Sequence, residues 1–444
     1  MSAAVHSTAA EAPVPSGGPS AAEAFTTRNG LAYGLLGLPL AFVALPLYVI
    51  LPNHYARAFG VPLAALGAVL LGARLFDAFI DPLLGRLSDR LFARSAKSVL
   101  ALGAIAALVL AAGFTLLFFP QVRSPDAILA WAGVMLMVTY AAYSALSVSH
   151  QSWGAMLGGN EAQRSRIVAW REGLGLIGVV LASVTPVALG LPATTAVFFV
   201  ALAAGWIAWA NAIRPIARKV VAINTKKTGA LLLPFRHANF RRLLAVFMFN
   251  GIASAVPATL VLFFIQDLLQ APPALEPVFL GVYFLAAALS IPLWLALVKR
   301  IGLAASWLCG MGLAIAVFGW ATQIAAGQVN AFVAICALSG VALGTDLALP
   351  GALLAGVIQS NGDSGRAEGA YFGWWNFATK LNLALAAGLA LPLLALFGYA
   401  PGVHAPQALN ALVLAYCVLP CALKLVAAAG LYFLIIKNPE STPT

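Results

Sequence analysis

The sequence contains few charged residues. Lys, Arg, Asp and Glu together make up 9% of its 444 residues, whereas 62% are hydrophobic, and the mean hydropathy is +0.94. Such a chain has too little polar surface to cover an apolar core in water, which excludes an ordinary soluble domain. We therefore expect a membrane protein.

Motifs for catalysis and for ATP use are also missing. The sequence has no H-E-x-x-H zinc motif, no P-loop and no nucleophile–base set, so neither a membrane enzyme nor an ATP-driven pump is indicated. No loop is long enough for the output domain of a sensor. The four cysteines, Cys309, Cys336, Cys417 and Cys421, lie in apolar stretches. They suggest packing, with neither a disulfide framework nor a metal site.

Long apolar runs make up most of the chain. A transmembrane helix needs about 20 residues to cross a ~30 Å hydrocarbon core, and we count about twelve runs of that kind. They begin near Leu31, Val61, Val99, Ala127, Ile167, Thr194, Leu243, Pro277, Ala304, Asn330, Glu368 and Ala408. An all-α membrane protein with twelve spans is predicted.

The net charge of +11 is explained by topology and not by nucleic-acid binding. Most of the 25 Lys and Arg residues fall in the even-numbered loops or the tails. In the odd-numbered loops we find Arg57 and Arg123. The positive-inside rule then places both termini in the cytoplasm of a cell bounded by this membrane.

A basic stretch near the middle divides the spans six and six. The predicted parts are a disordered tail at 1–27, a bundle at 28–213, a basic cytoplasmic loop at 214–242, a second bundle at 243–437 and a short tail at 438–444. Two six-helix halves joined in this way are typical of transporters, with the binding site at the midplane between the halves.

The second predicted span carries three ionisable residues in an otherwise apolar run. Arg74, Asp77 and Asp81 fall within about 60° of one another on one helix face. Each mid-membrane charge costs roughly 2.5–3.5 kcal/mol, and Asp77 lies ~13 Å from Arg86 at the predicted membrane edge. Because Arg74 neutralises one carboxylate, the other needs a basic side chain elsewhere, a proton or a bound cation.

An internal match indicates that these charges serve function. "DPLLGRLSDRLF" aligns without gaps to "IPLWLALVKRIG" in the second half, where apolar Phe284, Ala287 and Ile291 stand opposite the three charges. Intramembrane carboxylates commonly mark ion pathways, and a pair one turn apart suits Na⁺ or a shared proton. The alternative is a structural ion pair that ties this helix to a neighbour.

The stretch "RLFDAFIDPLLGRLSDR" closely resembles the cation-site helix of the glycoside–pentoside–hexuronide:cation symporters of the major facilitator superfamily. Their signature is an Arg, an Asp three residues on, an Asp-Pro four further, then Gly and a short basic loop. "YAAYSALSVSHQSWGAML" resembles the family's fourth helix, and "GRAEGAYFGWWNFATKLNLALAAGLALP" resembles its eleventh. The resemblance implies the two-bundle major facilitator fold.

The same resemblance implies residue roles. Asp77 and Asp81 would ligate the cation, Lys380 would couple the cation to the substrate, and Arg171 would line the substrate cavity. Lys380 lies deep in the eleventh span and is costly there unless it is paired. We expect it to pair with Asp77 or Asp81, with Arg74 completing a balance of two negative and two positive charges.

Two departures from the family pattern leave the cargo open. Sugar transporters of the group place an aspartate on helix 1 and another on helix 4, where this chain has "GLPLAF" and Ser144. Carriers of lysophospholipid-like amphiphiles in the group lack those acids too. A sugar or glycoside-like solute is therefore the first expectation, and a lysophospholipid-like amphiphile is the alternative.

Further cavity candidates follow from helical spacing. Asn376 shares a face with Lys380, and Trp375 stands beside it, where an aromatic ring suits a sugar. Tyr140 shares a face with Ser144 on the fourth span. The forked guanidinium of Arg171 suits hydroxyls, carboxylates and phosphates alike. These residues form the predicted substrate-binding set.

The loop after the second span resembles the superfamily's gating motif. Gly85 would supply a turn, and Asp89 would form ion pairs with Arg86 and Arg90 that hold one access state closed. Three other polar residues are given structural roles: His150 as a hydrogen-bonded surface residue, Lys424 as a snorkelling lysine without a partner, and Glu172 as the partner of a loop arginine.

These observations together predict a cation-coupled secondary transporter that works by alternating access. The coupling ion is Na⁺ or H⁺, and no other cofactor is expected. Expected partners are a small-molecule substrate and membrane lipid, without nucleic acid. We expect a monomer in the cytoplasmic (inner) membrane.

Overall fold

The computed structural model describes residues 25–59, 61, 63–215, 231–399, 402 and 404–437. The predicted tails, apart from Phe25 to Thr27, and most of the predicted central loop lie outside the described residues. Among those described, the regular structure is helical. The all-α prediction is confirmed.

Fifteen α-helices are present in the described part of the chain. They are α1 Thr27–Gly34, α2 Gly37–Leu45, α3 Leu51–Phe59, α4 Leu63–Arg94, α5 Ala96–Phe118, α6 Pro125–Met156, α7 Glu161–Ala210, α8 Leu233–Arg236, α9 Ala238–Phe263, α10 Glu276–Ile301, α11 Leu303–Ala321, α12 Val329–Ser360, α13 Glu368–Leu396, α14 Pro406–Val413 and α15 Leu419–Leu431. Short π-helical segments follow α2, α9, α14 and α15 at Pro46–Ile50, Phe264–Leu269, Leu414–Val418 and Tyr432–Ile436.

Ten helical segments in the described part of the chain are long and apolar enough to cross a membrane. They account for ten of the predicted spans. The other two predicted spans correspond to α4, with 32 residues, and α13, with 29 residues. At about 1.5 Å per residue both exceed the hydrocarbon thickness. These are the two helices that carry the Asp pair and Lys380.

Local chemistry explains several helix boundaries. Ser95 caps α5, because its Oγ accepts a hydrogen bond from the backbone N–H of Ser98 at 3.1 Å. Asn160 caps α7 in the same way through Gln163 N–H at 3.0 Å. Within α7, Gly190 has φ 80° and ψ 170°, a conformation open to glycine. This break separates the fifth and sixth predicted spans.

The first predicted span is not one continuous helix. It is divided into α1, α2, a π-helical segment and α3. Pro46, at the start of the π segment, lacks a backbone N–H, so the regular hydrogen-bond ladder cannot continue through it. The predicted apolar run from Leu31 is helical here, with these changes of helix type within it.

Hydrophobic packing forms three clusters. One lies wholly between residues 25 and 212, and another lies between 255 and 417. The third belongs mainly to the second half but includes Val148, Val168 and Ala169 of the first. This third cluster joins the halves near the end where the described chain begins and ends. We call that end the tail end and the opposite one the far end.

Candidate functional site

The two acidic residues in the middle of α4 are fully enclosed. Asp77 is 2% exposed and Asp81 is 0% exposed. They stand one helical turn apart, so both carboxylates face the same side of α4. That side packs against α6 and α13. Burial of two carboxylates so close together requires a positive partner.

Lys380, which lies on α13, reaches between the two carboxylates. Its Nζ lies 2.7 Å from Asp77 Oδ1 and 2.7 Å from Asp81 Oδ2. Nζ also donates a hydrogen bond to Ser144 Oγ on α6 at 3.0 Å. Ser144 Oγ in turn donates to Asp77 Oδ1 at 2.8 Å. The predicted pairing of Lys380 with the Asp pair is present, and it joins the first half to the second.

The ion pairs leave part of the site unsatisfied. Neither carboxylate oxygen of Asp81 has a partner with hydrogen-bond geometry, although Lys380 Nζ is close to Oδ2. The interaction between Asp81 and Lys380 is therefore an ion pair without hydrogen-bond geometry. Two carboxylates and one ammonium carry one net negative charge, which one monovalent cation or one proton would balance.

Arg74 interacts with another predicted site residue, and its part in the charge balance stays a prediction. The residue is exposed on α4, and it interacts electrostatically with Tyr140 on α6. Tyr140 is buried at 2%. These two predicted site residues therefore lie together, on the α4–α6 contact that also holds Asp77 and Ser144.

Arg171 lies on α7 at the joint between the halves. Its Nε and Nη2 donate to Glu172 Oε1 at 2.9 and 2.5 Å. The expectation that Glu172 pairs with a loop arginine is wrong. Arg171, Tyr33 and Phe372 surround a gap with room for little more than one water. In this conformation Arg171 is enclosed.

His150 is buried and not at the surface. It is 0% exposed, its Nε2 lies 2.8 Å from the carbonyl oxygen of Tyr33, and its ring stacks on Tyr33 with centroids 4.4 Å apart. Its expected hydrogen-bonded role is present, but its expected position is wrong. The contact arises because this part of α6 lies against Tyr33 of α1.

Two residues of α13 that are predicted to contact the substrate, Trp375 and Asn376, have different surroundings. Trp375 is 6% exposed and stacks on Phe247 with centroids 3.8 Å apart, so it contributes to the core of the second half. In this conformation Trp375 does not face a substrate cavity. Asn376 is half-buried one turn from Lys380, and its role stays a prediction.

The gating motif lies in a helix and not in a loop. Gly85, Arg86, Asp89 and Arg90 all belong to α4, which continues to Arg94. Asp89 accepts hydrogen bonds from the backbone N–H groups of Gly369 and Ala370 at 2.6 and 2.8 Å. Asp89 therefore caps the first turn of α13, and its expected ion pairs with the flanking arginines stay a prediction.

Two glycines allow this contact. A Cβ atom on Gly85 would lie 1.9 Å from the carbonyl oxygen of Gly369, and a Cβ on Gly369 would lie 2.1 Å from that of Gly85. Gly85 therefore serves close helix approach and not a turn. Any larger residue would push α4 away from α13.

Contacts between the halves are concentrated toward the tail end. Arg164 Nη1 donates to Gln359 Oε1 at 2.8 Å, and Leu303 N–H donates to Glu161 Oε2 at 2.8 Å. Among the described residues, the hydrogen bonds, ion pairs and ring contacts between the halves lie level with Lys380 or nearer the tail end. The halves are thus joined level with Lys380 and toward the tail end.

A second buried ion pair lies within the second half. Lys424 Nζ on α15 lies 3.1 Å from Asp346 Oδ2 on α12 and donates to Asn250 Oδ1 at 2.8 Å. The expectation that Lys424 has no partner is wrong. The sequence contained a signal for this pair, because Lys424 and Asp346 are charges of opposite sign in the middle of predicted spans.

Comparison with known proteins gives a family match over most of the chain. The family described as MFS/sugar transport protein matches residues 30–438. A putative sulfoquinovose importer of Salmonella typhimurium is 29% identical over 165 residues, which cover 35% of this chain and 33% of that protein. The chain thus matches about a third of the length of this curated relative.

Solved transporter structures share the fold at low identity. A bacterial homologue of the iron transporter ferroportin in an outward-facing state has a TM-score of 0.66 at 17% identity, covering 91% of this chain and 98% of its own. The E. coli fucose:proton symporter has a TM-score of 0.67 at 14% identity, covering 91% and 99%. A human organic anion transporter has 0.63 at 17%, covering 91% and 100%. The major facilitator fold is confirmed.

Proposed function

From the premise that this chain belongs to the MFS/sugar transport protein family, we propose that it is a cation-coupled symporter of a sugar or glycoside-like solute. Membership makes it a multi-pass membrane transporter with a small-molecule substrate. The coupling, the ion and the cargo are the proposed parts. We further propose a monomer in the cytoplasmic membrane with both termini inside the cell.

The observation that carries the proposal is the sharing of one ammonium by two buried carboxylates. Asp77 and Asp81 belong to one half and Lys380 to the other, with both Nζ–Oδ distances at 2.7 Å. A cation that enters this site competes with Lys380 for the same oxygens. Its arrival therefore weakens a bond between the halves, and that change links ion occupancy to conformation.

Alternating access follows from where the halves touch. In this conformation they are held together at the tail end, through Asp89 and α13. With the tails in the cytoplasm, the end that is held closed would face the inside of the cell. Rocking the halves about the Lys380 level would open this end and close the opposite one.

The energetic scale fits solute accumulation. One cation that enters down a potential of about 100 mV supplies ~2.3 kcal/mol. This free energy supports roughly 50-fold accumulation of a neutral solute before any ion gradient is added.

The cargo assignment is supported by the family and by the importer relative, whose name specifies a sulfonated sugar. Arg171 is the predicted residue with the geometry to hold a sulfonate or sugar hydroxyls. A proteoliposome uptake panel of small glycosides, sulfoquinovose and lysophospholipids tests this choice. Uptake of the lysolipids with no sugar transported would contradict it in favour of an amphiphile carrier.

Coupling is tested with Asp77→Asn and Asp81→Asn. We expect each change to abolish uphill uptake in proteoliposomes while substrate counterflow, which needs no driving ion, continues. Counterflow serves as the internal control for a folded, substrate-binding protein. If uphill uptake survives in both variants, the coupling assignment is wrong.

A further inference from the structure

A cavity of about 330 Å³ lies within the second half of the chain. This volume falls in the range of roughly 300–1,000 Å³ that is usual for small-molecule pockets. Its lining comes from α9, α10, α11, α12, the π segment after α14 and α15. The Asp77–Asp81–Lys380 site contributes no residue to it. It is therefore separate from the site of the proposed function.

The polar end of the cavity is a neutral, saturated ion pair. Asp346 Oδ1 accepts hydrogen bonds from Asn250 Nδ2 at 2.9 Å and from Trp307 Nε1 at 2.8 Å. Asp346 Oδ2 accepts from Ser254 Oγ at 3.0 Å and from Lys424 Nζ at 3.1 Å. A carboxylate offers about four lone-pair positions, and these four donors fill them. A charged ligand would therefore find no available counter-charge here, and burying it would be costly.

The rest of the cavity is aromatic and aliphatic, with a few hydroxyl groups. Its aromatic members are Phe279, Tyr283, Phe284, Phe318 and Tyr416. Aromatic side chains favour another ring in an offset or edge-to-face arrangement. The hydroxyl groups of Ser254, Ser339 and Tyr283 also line the space. These groups can exchange hydrogen bonds with a neutral polar group on a ligand.

One residue that lines the cavity aligns with a charged residue of the first half. Phe284, which lines it, stands opposite Arg74 in the sequence alignment of the two halves. The aligned sequence position is thus charged in the first half and aromatic in the second.

We infer that this cavity is a second ligand site, which binds a neutral small molecule with an aromatic ring and one or two hydroxyl groups. The ring lies among the aromatic side chains, and the hydroxyl groups meet Ser254, Ser339 or Tyr283. The Asp346–Lys424 pair closes the polar end and rejects ligands that carry net charge.

Photolabelling of the full chain in lipid nanodiscs tests the inference. The probe is a trifluoromethyl-diazirinyl benzyl alcohol, and its matched charged counterpart is the corresponding benzoate. We expect saturable labelling by the alcohol of peptides from α9, α10 or α12 that line the cavity, read by mass spectrometry. The benzoate should not label them.

Two alanine variants supply the matched control. Ala258 lines the cavity and is exposed, so Ala258→Phe should reduce saturable labelling by about tenfold because the added ring fills the space. Ala204 is exposed in the first half, and Ala204→Phe should leave labelling unchanged. Folding of both variants is checked by their thermal unfolding midpoints.

Three outcomes would overturn the inference. They are labelling that does not saturate and spreads over lipid-facing helices, labelling by the alcohol that survives Ala258→Phe, and benzoate labelling equal to that of the alcohol. None of these outcomes depends on cation coupling, so the proposed function is tested separately.

Discussion

At the residue scale, Lys380 determines the charge balance of the candidate site. Asp77 and Asp81 are 2% and 0% exposed, and the lysine ammonium contacts both. Two buried negative charges share one positive charge. The lysine is therefore a structural partner, and in the proposed mechanism it is also the group that an incoming cation would displace.

Lys380→Met should leave both carboxylates unpaired. Loss of one partner of a buried ion pair lowers the free energy of unfolding by about 3–5 kcal/mol. Bound Na⁺ should restore the thermal unfolding midpoint at fixed pH if Na⁺ is the coupling ion, while acidification alone should restore it if the ion is a proton. Lys380→Arg, which keeps the charge, is the control. A Lys380→Met protein as stable as wild type in K⁺ at neutral pH would contradict the assignment.

Asp346 and Lys424 form the second buried pair, and their effects on stability should be coupled. Lys424→Met leaves the Asp346 carboxylate without its ion-pair partner and should lower the free energy of unfolding by about 3–5 kcal/mol. In the double variant Asp346→Asn/Lys424→Met, much of this loss should be recovered because no buried charge remains. Denaturation of the four proteins of this cycle measures the coupling. Additive losses would contradict the pairing.

At the element scale, the contact between α4 and α13 holds the tail end closed. Gly85 and Gly369 let the two backbones touch, and Asp89 caps the first turn of α13. Helices held this closely can separate as rigid bodies without unfolding. The closed end is therefore sensitive to a single methyl group.

Gly85→Ala should favour the conformation that is open at the tail end. The new Cβ would lie 1.9 Å from the carbonyl oxygen of Gly369, and relieving such overpacking is worth about 1–3 kcal/mol, or roughly a 5- to 150-fold shift in population. Spin labels on Lys97 and Arg300, one on each half near the tail end, should show a longer distance.

Gly72→Ala is the matched control on the same helix. A Cβ there meets nothing within 4 Å, so the spin-label distance should not change. A distance distribution that is the same in Gly85→Ala and in wild type would show that the α4–α13 contact does not control closure.

Sequence patterns predicted most helices, but not every helix contact. The predicted starts at Glu368 and Ala304 agree with observed starts at Glu368 and Leu303, because apolar runs and end residues set helix limits locally. The partner of Asp89 was missed because it is a pair of backbone N–H groups, which no side-chain pattern reveals. The change to π-helical geometry at Pro46 was missed because it occurs within a continuous apolar run.

The charged residues of the candidate site were predictable from the sequence, but some of their contacts were not. Mid-membrane charges of opposite sign, Asp77, Asp81 and Lys380, identify each other because each is costly alone. Lys424 and Asp346 follow the same rule, yet their contact depends on how α12 and α15 align, which the sequence does not state. The burial of Trp375 against Phe247 likewise depends on the rotation of α13.

At the scale of the whole molecule, the two halves meet level with Lys380 and below it toward the tail end. The proposed transport cycle breaks those contacts and remakes others at the far end. In that cycle, Lys380 would link ion binding to the movement of the halves, because its partners belong to the other half. Every step of the account therefore requires that Asp77 and Asp81 take up a cation.

The most direct measurement is the cation dependence of thermal unfolding for the wild-type protein and for Asp77→Asn/Asp81→Asn in nanodiscs. The account predicts that Na⁺ or protons raise the wild-type midpoint saturably, while K⁺ at equal ionic strength does not, and that the double variant fails to respond. An equal response in the double variant, or no response of the wild type to either ion, would contradict it.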